Sequence, residues 1–226
     1  MVGQPSLDSP LEDRLRHHLA PIPIESSFDS RKNTPSLVMP RSIPRNLLLF
    51  LQKLDDHLPA NTRVPLYVGG AGALLLAYDG QVATEDVDFI GERTGLLLEL
   101  SEFAGKDSEV HQLTNYYLDI VPPGWFPNAW GWSNRAVPTL IPGLSHIDLR
   151  VLELHDLIIS KLKRFGSGDR EDIRNLCNHP ELDVEILRQR YQEARELYDY
   201  DQRERMDDNF RLVEVEILGL EPTEFT

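Results

Sequence analysis

The stretch that decides the fold reads VPLYVGGAGALLLA over residues 64–77 and TEDVDFI over residues 84–90. The first part predicts a short strand that ends in Gly69-Gly70 and passes at once into a helix rich in Ala and Leu. The second part alternates acidic and apolar residues, which is the period of a strand with one buried face. A strand, a glycine turn, a helix and a second strand in this order predict an α/β fold.

The same stretch carries residues that suit phosphate and metal chemistry. Glycines let the backbone approach a bulky ligand, and the helix start after Gly70 presents free N–H groups that suit a phosphate. Asp86 and Asp88 occupy positions i and i+2 of the predicted strand, so their carboxylates face the same side. Carboxylates this close repel each other unless a cation lies between them, and oxygen ligands suit Mg²⁺ or Mn²⁺. Either feature alone is common in turns and on exposed strands; their order along the chain is the narrower pattern.

Apolar periodicity divides the whole chain into three parts. Residues 1–41 are predicted to be a flexible N-terminal tail, because proline is frequent there and the charges cancel. Residues 42–152 are predicted to form a small mixed β-sheet core with flanking helices. Residues 153–226 are predicted to form an α-helical C-terminal portion. Its last stretch, around Val213, fits both a helix and a strand, and we favour the helix.

Shorter elements are predicted from the same periodicity. Strands are predicted at residues 108–113, 116–121 and 144–151. Helices are predicted at residues 95–104, from Leu154 onward and from Pro180 onward.

A loop between residues 122 and 138 holds all three tryptophans, Trp125, Trp130 and Trp132. Aromatic loops stack on bases or ribose, and Arg135 would add positive charge. The alternative is a lid that packs on the core.

Composition excludes several classes of protein. Lys plus Arg number 23 and Asp plus Glu number 37, so the net charge of −14 argues against broad, non-specific nucleic-acid binding. A single cysteine, Cys177, excludes an internal disulfide framework and a Cys-rich zinc site. No apolar run reaches the length of a membrane helix and no secretory signal is evident, so we expect a cytoplasmic protein with no membrane partner.

This order of motifs resembles the nucleotidyltransferase superfamily of DNA polymerase beta. Its members carry a Gly-Gly or Gly-Ser turn, an Asp-x-Asp strand and a third carboxylate on a later strand. Within it, the chain looks most like bacterial families related to AbiE-type abortive-infection toxins, which read GGxAL, TxDxD, an apolar helix with a Lys, and RDxxD. The matching stretches are GGAGAL at 69–74, TEDVD at 84–88, LHDLIISKL at 154–162 and DREDI at 169–173.

The resemblance implies roles for individual aspartates. Asp86 and Asp88, with a third carboxylate, are the expected catalytic residues and hold Mg²⁺ or Mn²⁺. Asp119 and Asp148 are both candidates for the third carboxylate, and the order of elements in the family favours Asp119.

The resemblance also implies a phosphate-binding set. Gly69 and Gly70 are expected to let the phosphates approach the backbone, and Lys161 is expected to contact the phosphates of the nucleotide. The alternative for Lys161 is a solvated surface lysine, which is the commonest role of a lysine on a helix.

One position departs from the family pattern. Relatives commonly carry an Arg before the first Asp of RDxxD, and here that position is Gly168. Arg164 or Arg170 would have to take its place in space. Asp169 and Asp172 also suit helix capping, and we expect at least one of them to act as a cap.

The implied function is Mg²⁺-dependent transfer of a nucleoside monophosphate from a nucleoside triphosphate to an acceptor, which is RNA, a protein or a small molecule. The implied biological setting is a toxin–antitoxin pair with a small protein antitoxin as partner. The alternative is a catalytically degenerate protein of the same fold that binds or regulates. Gly168 favours this alternative, whereas intact Asp86 and Asp88 favour the enzyme.

Overall fold

The computed structural model describes residues 37–40, 42–127 and 129–225. Residues 1–36 lie outside the described residues, so the tail predicted for residues 1–41 stays a prediction. Val38 already contacts the sheet edge, because its N–H donates to the Pro138 carbonyl and its own carbonyl accepts from the Leu140 N–H, each at 3.0 Å.

A five-stranded mixed sheet carries the α/β core. In chain order, strands β1 to β5 span Val64–Val68, Asp86–Ile90, Tyr117–Val121, Val137–Pro138 and Ile147–Val151. Their order across the sheet is β3-β2-β1-β5-β4. β1 is parallel to β5 and antiparallel to β2, β2 is parallel to β3, and β4 is antiparallel to β5. The strand predicted at 116–121 is confirmed as β3.

Helices flank this sheet and make up the C-terminal portion. Helices α1 to α5 span Arg45–His57, Gly70–Ala77, Gly95–Ala104, Glu109–Thr114 and Trp132–Arg135. Helices α6 to α9 span Leu154–Ser160, Ser167–Cys177, Val184–Arg195 and Tyr200–Leu212. The predicted fold class, a mixed α/β core with C-terminal helices, is confirmed. No helix within the described residues is long and apolar enough to cross a membrane.

A buried carboxylate on α1 fixes where β5 begins. Asp55 is only 2% exposed and accepts hydrogen bonds from the N–H groups of Ser145, His146 and Ile147 at 2.9, 2.8 and 2.7 Å. Burial raises the pKa of this carboxyl, but the hydrogen bonds outweigh burial and hold the pKa below its ordinary value. The strand therefore begins at Ile147 rather than at residue 144.

The strand predicted at residues 108–113 is wrong, because this segment forms helix α4. The Ser108 side chain caps the helix by accepting a hydrogen bond from the His111 N–H at 3.1 Å. Asn115 ends it in the left-handed conformation, with φ of 58°. Both ends depend on local side-chain and backbone chemistry that apolar alternation does not reveal.

The helix predicted from Pro180 begins later, at Val184. Asp183 is its cap, since its carboxylate accepts hydrogen bonds from the N–H groups of Glu185 and Ile186 at 2.9 and 3.2 Å. A carboxylate that satisfies two free N–H groups outweighs the preference of proline for a first helical turn.

The last stretch of the chain is helical, which confirms the favoured interpretation. Helix α9 passes into a π-helical turn at Val213–Ile217. Within it, Glu214 is fully buried and accepts hydrogen bonds from Arg188 Nε at 2.7 Å and from the Thr223 hydroxyl at 2.6 Å. A buried, hydrogen-bonded glutamate explains why acidic and apolar residues alternate here without forming a strand.

Candidate functional site

The glycine turn after β1 is shaped around the side chain of Asp88. Gly70 begins α2 with φ of +57°, a conformation that favours glycine. A Cβ on Gly70 would lie 1.7 Å from Asp88 Oδ2, and the Gly69 N–H donates to the Asp88 carbonyl at 2.9 Å. The room left by the missing side chain at Gly70 is thus filled by the Asp88 carboxylate.

Three aspartates lie on one face of neighbouring strands. On β2, Asp86 and Asp88 alternate with the fully buried Val87, and on β3 Asp119 is the Cα partner of Asp88. Residues paired in this way point to the same face of the sheet. The Thr84 hydroxyl donates to the Asp86 carboxylate at the start of β2. We call Asp86, Asp88 and Asp119 the three-aspartate face.

The other candidate for the third carboxylate, Asp148, lies elsewhere in the sheet. It belongs to β5, across β1 from β2, and its Cα partner is Pro65 near the start of β1. Its carboxylate accepts a hydrogen bond from Arg150 Nε at 3.0 Å. The structure therefore brings Asp119, and not Asp148, beside Asp88.

The surroundings of Asp88 disfavour the ionised form of its carboxyl. Burial raises its pKa, the charges of Asp86 and Asp119 raise it further, and the pKa reaches about 6. Lys161 and Arg164 act in the opposite direction, so their positive charges lie within electrostatic reach of Asp88. A bound cation would relieve this repulsion.

We expect Asp88 to make the metal-free protein less stable as the pH rises from its ordinary pKa of 3.8 to about 6. In this window the native state binds the proton more tightly than the unfolded chain, so the free energy of unfolding falls with rising pH. The gap corresponds to a loss of at most about 3 kcal/mol. Urea unfolding across this range checks it against Asp88→Asn, whose advantage over wild type should grow with pH. Parallel pH profiles for the two proteins would contradict the raised pKa.

Arg164 is one of the two arginines expected to replace the one missing at Gly168, and it pairs with Asp169. Its Nε and a terminal N–H group donate to both oxygens of Asp169 at 2.8 Å, while the Arg164 side chain is 83% exposed. Asp169 also accepts from the Gly166 N–H at 3.0 Å and so caps α7, as the capping interpretation predicts. Arg170, the other candidate, lies over an aromatic ring instead.

Lys161 is buried, so the solvated-surface alternative is wrong. Helix α6 ends at Ser160, and Lys161 follows it with an exposed fraction of 5%. Its Nζ donates to Asp172 Oδ2 at 2.7 Å. Lys161 therefore has its own carboxylate partner and acts on Asp88 through space.

Within the described residues, no three His, Cys, Asp or Glu side chains are already arranged to hold a metal ion. In the three-aspartate face, each carboxylate has another neighbour: Asp86 is bonded to Thr84, Asp88 lies against the glycine turn, and Asp119 faces Arg93. The donor chemistry fits Mg²⁺ or Mn²⁺, because three oxygen donors share a face on which Asp88 resists ionisation without a cation.

The aromatic loop is partly packed and partly exposed. Phe126 lies against the glycine turn, with Cζ 3.4 Å from the place of a Gly69 Cβ, and Trp132 packs edge-on against a tyrosine of β1. Trp125 and Trp130 are 71% and 77% exposed. The lid interpretation therefore fits Phe126 and Trp132, which are packed. The stacking interpretation fits Trp125 and Trp130, which are exposed.

Arg135 anchors this loop and adds no free charge to it. Its Nε and a terminal N–H group donate to the two oxygens of Asp156 at 2.9 Å, and its other terminal N–H group donates to the Trp130 carbonyl at 2.6 Å. Asp156 is fully buried. Sequence reasoning missed this pair and the contact of Arg93 with Asp119, because neither pair belongs to a spaced motif.

Comparison with known proteins places the chain in a family. A family model described as nucleotidyltransferase of unknown function (DUF6036) matches residues 45–216, from the start of α1 into the π-helical turn. No curated protein and no solved structure gives a match. The matched segment contains the glycine turn, the three-aspartate face, Lys161 and Arg164. The chain therefore belongs to this family of nucleotidyltransferases.

Proposed function

We propose that the protein is a Mg²⁺- or Mn²⁺-dependent nucleotidyltransferase that transfers a nucleoside monophosphate from a nucleoside triphosphate to an acceptor hydroxyl. The observation that carries the proposal is the placement of Asp88 against the glycine turn and directly beside Asp119, with Asp86 on the same face. Membership of the family supports a nucleotide as substrate.

In this proposal Asp86, Asp88 and Asp119 hold the cation. When bound, the cation supplies positive charge that neutralises the triphosphate and the departing pyrophosphate. With a pKa of about 6, Asp88 is ionised at neutral pH and ready to act as a ligand. Thr84 orients Asp86 through its hydroxyl.

The two basic side chains near the three-aspartate face, Arg164 and Lys161, have different roles in this proposal. Arg164 is the better direct contact, because its side chain is exposed while Asp169 holds the guanidinium in place. Lys161 is buried against Asp172, so it acts by stabilising the ionised form of Asp88. In the same proposal, Gly69 and Gly70 let the phosphates approach the backbone.

The proposal allows three classes of acceptor: RNA, a protein or a small molecule. Exposed Trp125 and Trp130 suit stacking on a base, which supports RNA as an acceptor beside a protein or a small molecule. A relationship to AbiE-type toxins, and an antitoxin partner, rest on the resemblance of motifs alone.

A second candidate is a degenerate member of the family that binds nucleotide without transferring it. Two observations favour it: Gly168 replaces the usual arginine, and the carboxylates are not already arranged as a ligand set within the described residues. The two candidates differ in one measurable step, because only the enzyme forms a bond to the acceptor.

The test incubates the full chain with each labelled nucleoside triphosphate and Mg²⁺ or Mn²⁺, with bulk RNA or with no added acceptor. Tryptophan emission reports binding, because all three tryptophans lie in the aromatic loop. Metal-dependent labelling of RNA or protein supports the enzyme. Quenched emission without labelling supports the degenerate protein. If neither labelling nor quenching is observed, both candidates are contradicted.

A further inference from the structure

Arg93 flanks the three-aspartate face on the side opposite the glycine turn. The turn follows β1, Asp88 lies on the neighbouring β2, and Asp119 lies on β3 at the edge of the sheet. Arg93 follows the end of β2 and reaches back to Asp119, with a terminal nitrogen 3.5 Å from Oδ1. Its positive charge thus sits beside the outermost of the three carboxylates.

The cations around the three-aspartate face differ in their partners. Lys161 and Arg164 each hold a separate carboxylate at 2.8 Å or less, on Asp172 and Asp169. In the part of the chain that the structure describes, the ionic partner of Arg93 is Asp119 itself. The two side chains are 64% and 46% exposed, so the pair is weak and exchangeable.

The backbone around Arg93 is held in place. The Gly91 N–H donates to the Val121 carbonyl at 3.0 Å, and the Thr94 N–H donates to the Glu92 carbonyl at 2.8 Å. A rotation of the Arg93 side chain is therefore enough to uncover Asp119, and no strand or helix has to move.

We propose that Arg93 competes with the divalent cation for the carboxylate of Asp119. The inference rests on the proposed function, because it requires a cation site on the three-aspartate face. Without the cation, Arg93 neutralises Asp119 and limits the repulsion within the face. When a cation takes Asp119, the guanidinium is displaced, so Arg93 sets the concentration of metal at which the site fills.

The test is calorimetric titration of Mn²⁺ into the full-length protein and three variants at low ionic strength. Arg93→Gln removes the competing charge and should bind Mn²⁺ roughly 3- to 10-fold more tightly than wild type. Arg93→Lys keeps the charge and should stay close to wild type. Arg93→Glu adds a negative charge and should bind most tightly. Added salt should reduce these differences, because the pair is exposed.

Two controls keep the result specific. Arg45→Gln removes an exposed arginine at the start of α1 and should leave Mn²⁺ affinity unchanged. Asp88→Asn should abolish the binding. Equal or weaker Mn²⁺ affinity in Arg93→Gln, with binding lost in Asp88→Asn, overturns the role of Arg93 alone. Unchanged affinity in Asp88→Asn overturns the cation site, and with it the proposed function.

Discussion

Asp88→Asn should abolish nucleotide transfer, with a loss in rate of roughly 100-fold or more. Asp88 lies between the glycine turn and Asp119, so it is central among the three carboxylates. Asparagine keeps the shape of the side chain but removes the charge that holds the cation. The measurement is the initial rate of label transfer, after thermal melting has shown that the variant is folded.

Two matched variants decide how this loss is interpreted. Asp148→Asn should keep most of the activity, because Asp148 lies across β1 and pairs with Arg150. Asp119→Asn should behave like Asp88→Asn. An inactive Asp148→Asn with an active Asp119→Asn would reassign the third ligand. Full activity in Asp88→Asn would end the transferase proposal.

Gly70→Ala should be strongly destabilising, at about 2–4 kcal/mol. Alanine at φ of +57° is strained, and its Cβ would lie 1.7 Å from Oδ2 and 2.8 Å from Cγ of Asp88. The Asp88 side chain would have to leave the start of α2. Urea unfolding measures the loss, and Gly168→Ala is the matched control, because its Cβ would meet nothing within 4 Å.

A double-mutant cycle separates the clash from the strain. Combining Gly70→Ala with Asp88→Ala removes the carboxylate that the new Cβ meets, so part of the lost stability should return. The remaining loss reports the left-handed backbone alone. Additive effects of the two substitutions would show that the glycine turn is not shaped around Asp88.

Local patterns were enough to predict the glycine turn and the strand that carries Asp86 and Asp88. The period of a strand places Asp86 and Asp88 on one face, and Gly69-Gly70 marks the turn into a helix. What local patterns could not reveal is that Gly70 makes room for the Asp88 carboxylate. That relation depends on the pairing of β1 with β2, which brings the turn beside the middle of β2.

Charges that meet across the fold could not be predicted from spacing. Lys161 is buried because α6 ends just before it and Asp172 lies within reach. Arg164 pairs with Asp169 because α7 begins where the Asp169 carboxylate can accept its guanidinium. The error at residues 108–113 has a similar cause. A short helix is fixed by a serine cap and a left-handed end, and apolar alternation reports neither.

The most direct measurement is a Mn²⁺ titration of wild type and of the double variant Asp86→Asn, Asp88→Asn, well above the pKa of Asp88 and without nucleotide. Wild type should bind Mn²⁺ saturably and melt at a higher temperature as the metal is added, because binding to the native state alone stabilises it. The double variant should show neither effect, and it should be the more stable protein without metal, because the repulsion on β2 is gone. Identical binding heats and identical melting shifts in the two proteins would contradict a metal site on the three-aspartate face.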